Sequence, residues 1–230
     1  EMAISLALLV GAGLLVRTLG ELGSVDPGFS ERNALTAQVW HPGTRAIGDD
    51  ELRVFHTSLL EKIRALPGVT SAGAVLSLPV DDAISAREGY SIEGRVGERG
   101  SEPVAGLQIA SPGTFESLGI PVLRGRPFTD ADGPQGPPVM IVSQAFADGF
   151  FPGEDPVGAR MGAGHPESPD FHWATIVGVV GSTRHGGLDS LPRAEAYVPL
   201  AQSPTPWISL VLRTSVPAGS LAEPLRRAVM

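Results

Sequence analysis

His165, His172 and His185, with Asp170 and Asp189, are the one ligand-like group of side chains in this sequence. Imidazole and carboxylate both bind zinc, but a zinc site asks for ligands at regular helical or knuckle spacing. These residues fall at irregular intervals among glycines and prolines, so polar loop residues are the plainer reading. Asp130-Ala131-Asp132-Gly133 hints at a calcium loop, yet the third carboxylate, the properly placed glycine and the closing glutamate are missing. A chain turn fits it better. Arg124 and Arg126 flank Gly125 and could grip a carboxylate or phosphate with their forked donors. An internal ion pair with Asp130 or Asp132 is the simpler use for them. Phe146, Phe150 and Phe151 cluster around a short helix; Phe146 and Phe150 stand one helical turn apart, so a core face is the plainer reading and partner contact by Phe151 the alternative.

Other chemistry is excluded by what the sequence lacks. No Gly-x-x-x-x-Gly-Lys-Ser/Thr stretch is present to cradle nucleotide phosphates. No Gly-x-Ser-x-Gly elbow occurs, and the absence of cysteine removes thiolate catalysis, disulfides and cysteine-ligated zinc. The net charge of −8 and a single lysine, Lys62, argue against a nucleic-acid partner, which needs a basic stripe to displace counterions. No nucleophile–base pair can be proposed, so the sequence reads as a non-enzyme with no cofactor.

The elements that would position these groups begin with an uncharged run, Met2 to Val16. Its 15 residues would extend about 22 Å as a helix, short of the roughly 30 Å of a bilayer's hydrocarbon layer. The first residue is Glu1 and the last ones stop inside a helical pattern, so the sequence reads as a segment of a longer protein. Residues 1–20 are accordingly expected to be the C-terminal part of a transmembrane helix. Ala3, Ala7 and Gly11 recur at i, i+4 and i+8, a small-residue stripe that lets another helix approach closely. A signal peptide would carry a basic residue where Glu1 stands, and a buried core helix is the remaining alternative. Asp26-Pro27-Gly28-Phe29 then makes a turn followed by an aromatic, the candidate hinge on leaving that helix.

Beyond it, Leu35, Ala37 and Val39 alternate as in a half-buried strand. A helix capped by Asp49 or Asp50 carries Leu52, Phe55, Leu59, Ile63 and Leu66 on one face until Pro67-Gly68 stops it. Strands are expected at Val69–Leu76, around Tyr90–Gly94, and at Val104–Ala110. Further strands fall at Ile120–Leu123, Val139–Val142, Thr175–Gly181, Ala196–Leu200 and Ile208–Arg213. Short helices open at Ser111-Pro112 and cover Gln144–Phe150, and a last helix carries Leu221, Leu225 and Val229. The irregular alternation predicts an α+β fold with mixed β-sheets and flanking short helices rather than a doubly wound sheet. The Gly-, Pro- and Asp-rich stretch Asp130–Pro138 is the best internal boundary.

Taken in order, LLVGAGLLVRTL, VDPGF, ALPGV and SLPV resemble the MacB-like periplasmic core domain of FtsX-like ABC-transporter permeases. The likeness continues through SPGTFESLGIPVLRGRPFTDAD, VMIVSQAFADGFFPGEDPVGARM, TIVGVVGSTRHGGL, AYVPLAQ and LVLRT, and so covers nearly the whole chain. It is especially similar to the second such domain of acidobacterial duplicated orphan permeases. The resemblance implies a two-lobed extracytoplasmic domain over 21–230, lying beyond a transmembrane helix of the bacterial inner membrane. Its porter-like lobe would span about 30–128 and 204–230, with a smaller α/β lobe inserted at about 137–202. It further implies an ABC ATPase subunit as partner, contact with membrane lipid, and a second permease copy or periplasmic adaptor as further partners. The implied function couples cytoplasmic ATP hydrolysis to transport or mechanical work outside the membrane. A membrane-tethered binding or scaffold domain without energy coupling is the rival.

Overall fold

The computed structural model describes residues 2–23, 25–41, 47–79, 86–185 and 190–229. In chain order the elements are α1 (Met2–Gly23), β1 (Ala34–Trp40), α2 (Asp49–Arg64), β2 (Val69–Val75), β3 (Ala86–Ile92), β4 (Val104–Ala110), α3 (Thr114–Leu118) and β5 (Val122–Gly125). They continue as β6 (Val139–Ser143), α4 (Gln144–Phe150), β7 (Arg160–Ala163), β8 (Ala174–Val180), β9 (Glu195–Pro199), β10 (Trp207–Thr214) and α5 (Ala222–Val229). All ten strands join one mixed sheet. The expected α+β class with flanking helices is what forms.

Part of that sheet closes on itself. β4 pairs β3, β3 pairs β7 and β7 pairs β8, all antiparallel. β8 lies parallel to β6, β6 antiparallel to β9, and β9 parallel to β4, which completes a ring. Closure leaves the ring strands without a bare edge. Alternation along the strands sorts their side chains. Tyr90, Ile92, Met140, Val142, Ala174, Ile176 and Ala196 share one core with Phe146, Ala147 and Phe151 from the α4 region. Val139, Ile141, Val180 and Tyr197 turn the other way, toward Phe115, Leu118, Phe128 and Val211. β6 and β9 are therefore buried on both faces, and their near-continuous apolar runs follow from that. Strands β3 and β4 come from within 30–128 and β6–β9 from within 137–202, and the two sets are hydrogen-bonded neighbours.

Outside the ring, β1, β10 and β2 form an antiparallel arm. α2 lies on it through Leu59, Leu60 and Ile63, packed with Val39, Ala72, Ala74, Leu210, Leu212 and Leu225 of α5. The cap of α2 differs from expectation. Gly48 occupies the N-cap with no side-chain bond, and Asp49, Asp50 and Glu51 fill the first turn instead. There they meet the positive end of the helix dipole, which is where carboxylates help most. α3 likewise starts at Thr114 rather than at Ser111-Pro112, whose serine hydroxyl accepts from the Ala74 amide across the sheet.

The expected transmembrane helix end is corrected. α1 is helical over Met2–Gly23, but no helix among the described residues is long and apolar enough to cross a membrane. The uncharged run within it, Met2–Val16, extends only about 22 Å as a helix, short of the roughly 30 Å hydrocarbon layer, and Arg17 closes it. Leu8, Leu9, Val10, Leu14, Leu15 and Val16 stand exposed along it.

Candidate functional site: a clamped segment beside a buried polar cluster

The segment leaving α1 follows a path set by its backbone. Asp26 Oδ1 accepts the Gly28 amide at 2.9 Å, a side-chain-to-backbone turn typical of aspartate. Gly28 has φ of +83°, and a Cβ built there would lie 2.1 Å from the Ser182 carbonyl oxygen. Only glycine fits, on both counts. One residue earlier, the Pro27 carbonyl accepts the Arg184 amide at 3.1 Å, and Arg184 Nε donates to the Asp26 carbonyl at 3.3 Å. Phe29 is half-buried against the core that contains Phe115 and Leu118.

A second clamp grips the other side. The Ser30 amide donates to the Leu118 carbonyl at 2.8 Å. Arg213 of β10 donates to the carbonyls of Ser30 (3.0 Å), Arg32 (2.9 Å) and Ser117 (3.0 Å). Asp26–Phe29, the sequence-level hinge, thus sits between the residues following β8 and those of β10 and α3. Of the small-residue stripe, the side chains of Ala3 and Ala7 lie outside the described residues, and a methyl added at Gly11 would meet nothing within 4 Å.

Behind the first clamp lies a polar cluster that the sequence did not single out. Glu195, 2% exposed, receives His185 Nε2 at 3.0 Å on Oε1. Its Oε2 accepts from the Tyr197 hydroxyl at 2.8 Å and the Thr183 hydroxyl at 3.3 Å. Gln108 Nε2 approaches Oε1 at 3.5 Å, and Ser143 Oγ accepts the Glu195 amide at 3.0 Å. Gly106, opposite Glu195 in the parallel β4–β9 register, leaves room for its side chain. Burial raises the Tyr197 phenol well above its ordinary pKa, and the Glu195 carboxylate adds to the rise. Tyr197 therefore stays a hydrogen-bond donor. A lone glutamate between alanines in a strand was the available signal.

The histidines and aspartates do not converge. His165 ends near β7, with Nε2 3.4 Å from the Gly97 carbonyl and Nδ1 accepting the Glu167 amide at 3.3 Å. His172 and Asp170 are exposed, His185 serves Glu195, and Asp189 lies outside the described residues. Among the described residues no group of three or more His, Asp or Glu could hold a metal ion. Arg126 makes the internal ion pair, with Nη1 and Nη2 donating to the two Asp132 oxygens at 2.7 and 2.8 Å. The Thr129 amide adds a third bond, and these donors, Arg126 first, hold the Asp132 carboxyl below its usual pKa. Arg124 reaches Gln144 Oε1 at 3.2 Å. Phe151 is 3% exposed and lies under Arg95, so it belongs to the core and the alternative of partner contact fails. Phe146 stacks on Phe150 at 3.9 Å, within the core as its spacing implied.

A mixed sheet closed into a ring, an antiparallel arm with helices, and a clamped leading segment make up one α+β domain. The chain belongs to the MacB-like periplasmic core domain family, whose profile matches residues 2–228. Its fold is similar to the periplasmic region of MacB from Actinobacillus actinomycetemcomitans, at 16% identity and a TM-score of 0.55, covering 87% of this chain and 83% of that one. It is also similar to the extracellular domain of the noncanonic ABC-type transporter YknZ from Gram-positive bacteria, at 20% identity and a TM-score of 0.51, covering 85% and 88%. At these identities the likeness shows the fold alone. Among curated proteins none matches this sequence significantly. Membership of the family is consistent with an extracytoplasmic region of a membrane protein.

Proposed function

We propose that this domain relays motion in an ABC-transporter permease of the bacterial inner membrane. An ABC ATPase subunit on the cytoplasmic side would supply the motion, and the residues after about 20 would work in the periplasm. The observation that carries the reading, beyond the family match, is the double clamp on the segment after α1. A push arriving at Asp26–Phe29 meets no slack, because Arg184 holds one side of its path and Arg213 the other. The transmitted quantity is displacement, which needs stiffness rather than a reactive group.

The test replaces Asp26–Phe29 by a flexible Gly/Ser linker in the full-length permease, which removes stiffness while keeping connectivity. Transport or its phenotype should fall while ATP binding by the partner is retained and the domain stays folded by circular dichroism. Full activity with the flexible linker would overturn the coupling reading. A tethered binding or scaffold domain is the second reading. It is favoured by a groove of about 700 Å³ between α2 and the Thr129–Pro134 turn, lined by Arg53, Arg64, Ser111, Thr129 and Asp130. Under that reading the linker leaves output intact, whereas substitutions in the groove abolish it.

A further inference from the structure

Residues 181–185 carry two sets of contacts that point in different directions. Gly181 donates its amide to Pro121, and Ser182 Oγ accepts the Ala145 amide, so the stretch starts fixed beside β5 and to the start of α4. Ser182 and Arg184 bear on Gly28, Pro27 and Asp26. Thr183 and His185 reach away, into Glu195. Glu195 is tied in turn to Gln108 on β4, Tyr197 on β9 and Ser143 at the end of β6. One residue therefore joins the ring to the short stretch on which the segment after α1 rests, its carboxylate reaching Gln108 and Tyr197 and its amide Ser143.

Stability alone does not account for this hub. Taking a carboxylate and an imidazole out of water is costly, and well-packed apolar residues in their place often leave a fold as stable or more so. What such a pair adds is a single defined geometry. We infer that the His185–Glu195 contact, bridged by Thr183, is a latch that holds residues 182–184 in the position that seats Asp26–Phe29. His185, Thr183 and Glu195 act through Ser182 and Arg184, so they are positioning residues. The inference rests on the coupling reading for its consequence in transport, but the latch itself is a property of this chain.

Amide hydrogen exchange on the 230-residue chain tests it. The reporters are the Arg184 amide, bonded to Pro27, and the Ile176 amide, bonded to Ala159 within the ring region. Glu195→Gln keeps the side-chain volume and removes the charge; Thr183→Val keeps both ionisable partners and removes the bridging hydroxyl. Each should speed exchange at Arg184 by about tenfold or more while Ile176 stays within about twofold of the unaltered chain, as local opening does. His185→Gln should do the same. Unchanged protection at Arg184 would overturn the latch, and so would equal acceleration at Arg184 and Ile176, which is general destabilisation. If exchange at Arg184 rises selectively but Glu195→Gln leaves transport by the full-length permease untouched, the latch stands and the coupling reading fails.

Discussion

Gly28→Ala is the most direct probe of the seat. Two independent costs follow from its geometry. At φ of +83° an alanine is in the left-handed region, which costs an L-residue about 1–2 kcal/mol. Its Cβ would also fall 2.1 Å from the Ser182 carbonyl oxygen and 3.1 Å from Thr183 Cα, both main-chain atoms that cannot rotate aside. The least expensive relief is for the segment to lift. That forfeits the Arg184 amide bond to Pro27 and the Arg184 Nε bond to Asp26, at about 1 kcal/mol for each ordinary hydrogen bond. Lifting also exposes part of Phe29. The loss is capped by the cost of undocking, about 2–3 kcal/mol in urea denaturation, with the ring intact. Amide exchange should show the undocking as lost protection at Arg184 with Ile176 protected as before. A midpoint shift worth less than about 0.5 kcal/mol, together with an Arg184 amide as protected as in the unaltered chain, would refute the reasoning.

The remaining predictions concern the cores and the buried titrating groups. Phe146→Ala should cost about 3–5 kcal/mol by chemical denaturation, because the ring is fully buried between Tyr90 and Phe150. Burial, more than the neighbouring His41, lowers the His56 pKa from 6.5 to about 4 against the raising pull of the Thr205 backbone. The unfolded chain then holds a proton the folded one lacks, so stability should fall by up to about 3 kcal/mol as pH drops from 6.5 to 4. His56→Leu should flatten that stretch of the pH–stability curve, and an unchanged slope would count against it. Asp132→Asn should cost about 1–2 kcal/mol at neutral pH, modest because the Arg126 guanidinium is half open to solvent. Its folded pKa is depressed, so this contribution is present above the ordinary carboxylate value and disappears as pH falls through the folded value. The mutant and the unaltered chain should therefore converge in acid, which thermal melts at a series of pH values would show.

Much of the fold was legible where one physical signal dominated. α2 declared itself through Leu52, Leu59 and Ile63 at helical spacing, and α4 through Phe146 and Phe150 one turn apart, whereas its cap Ser143, whose hydroxyl accepts the Phe146 amide, was not singled out. β6 and β8 were legible as apolar runs. β7 was not, because Arg160–Ala163 is four residues long with only Met161 and Gly162 buried, too short for alternation to register. Ring closure could not be read either. It depends on β9 lying parallel to β4, a pairing whose partners are far apart in sequence and whose signature is confined to Gly106 opposite Glu195. The seat of the segment after α1 was half legible: Asp26-Pro27-Gly28 spelled a turn, but nothing local marked Arg184 and Arg213 as its clamps. Conversely, the uncharged run at Met2–Val16 suggests the end of a span by its composition, yet no helix among the described residues is long and apolar enough to cross a membrane.

The two clamps share a feature that bears on how the segment can work. Arg184 donates to the Asp26 carbonyl, and Arg213 to the carbonyls of Ser30, Arg32 and Ser117. None of these acceptors is a side chain. The guanidinium groups therefore hold the main chain, while the Asp26 carboxylate, the Pro27 ring and Gly28 fix the path that brings those carbonyls to them. Carbonyl acceptors on a fixed path are spaced by the backbone repeat of about 3.3 Å in extended chain, while useful hydrogen bonds tolerate only a few tenths of an ångström in donor–acceptor distance. A slide of the segment by a fraction of one residue would break both clamps together. The segment is thus held in register by main-chain contacts on both sides.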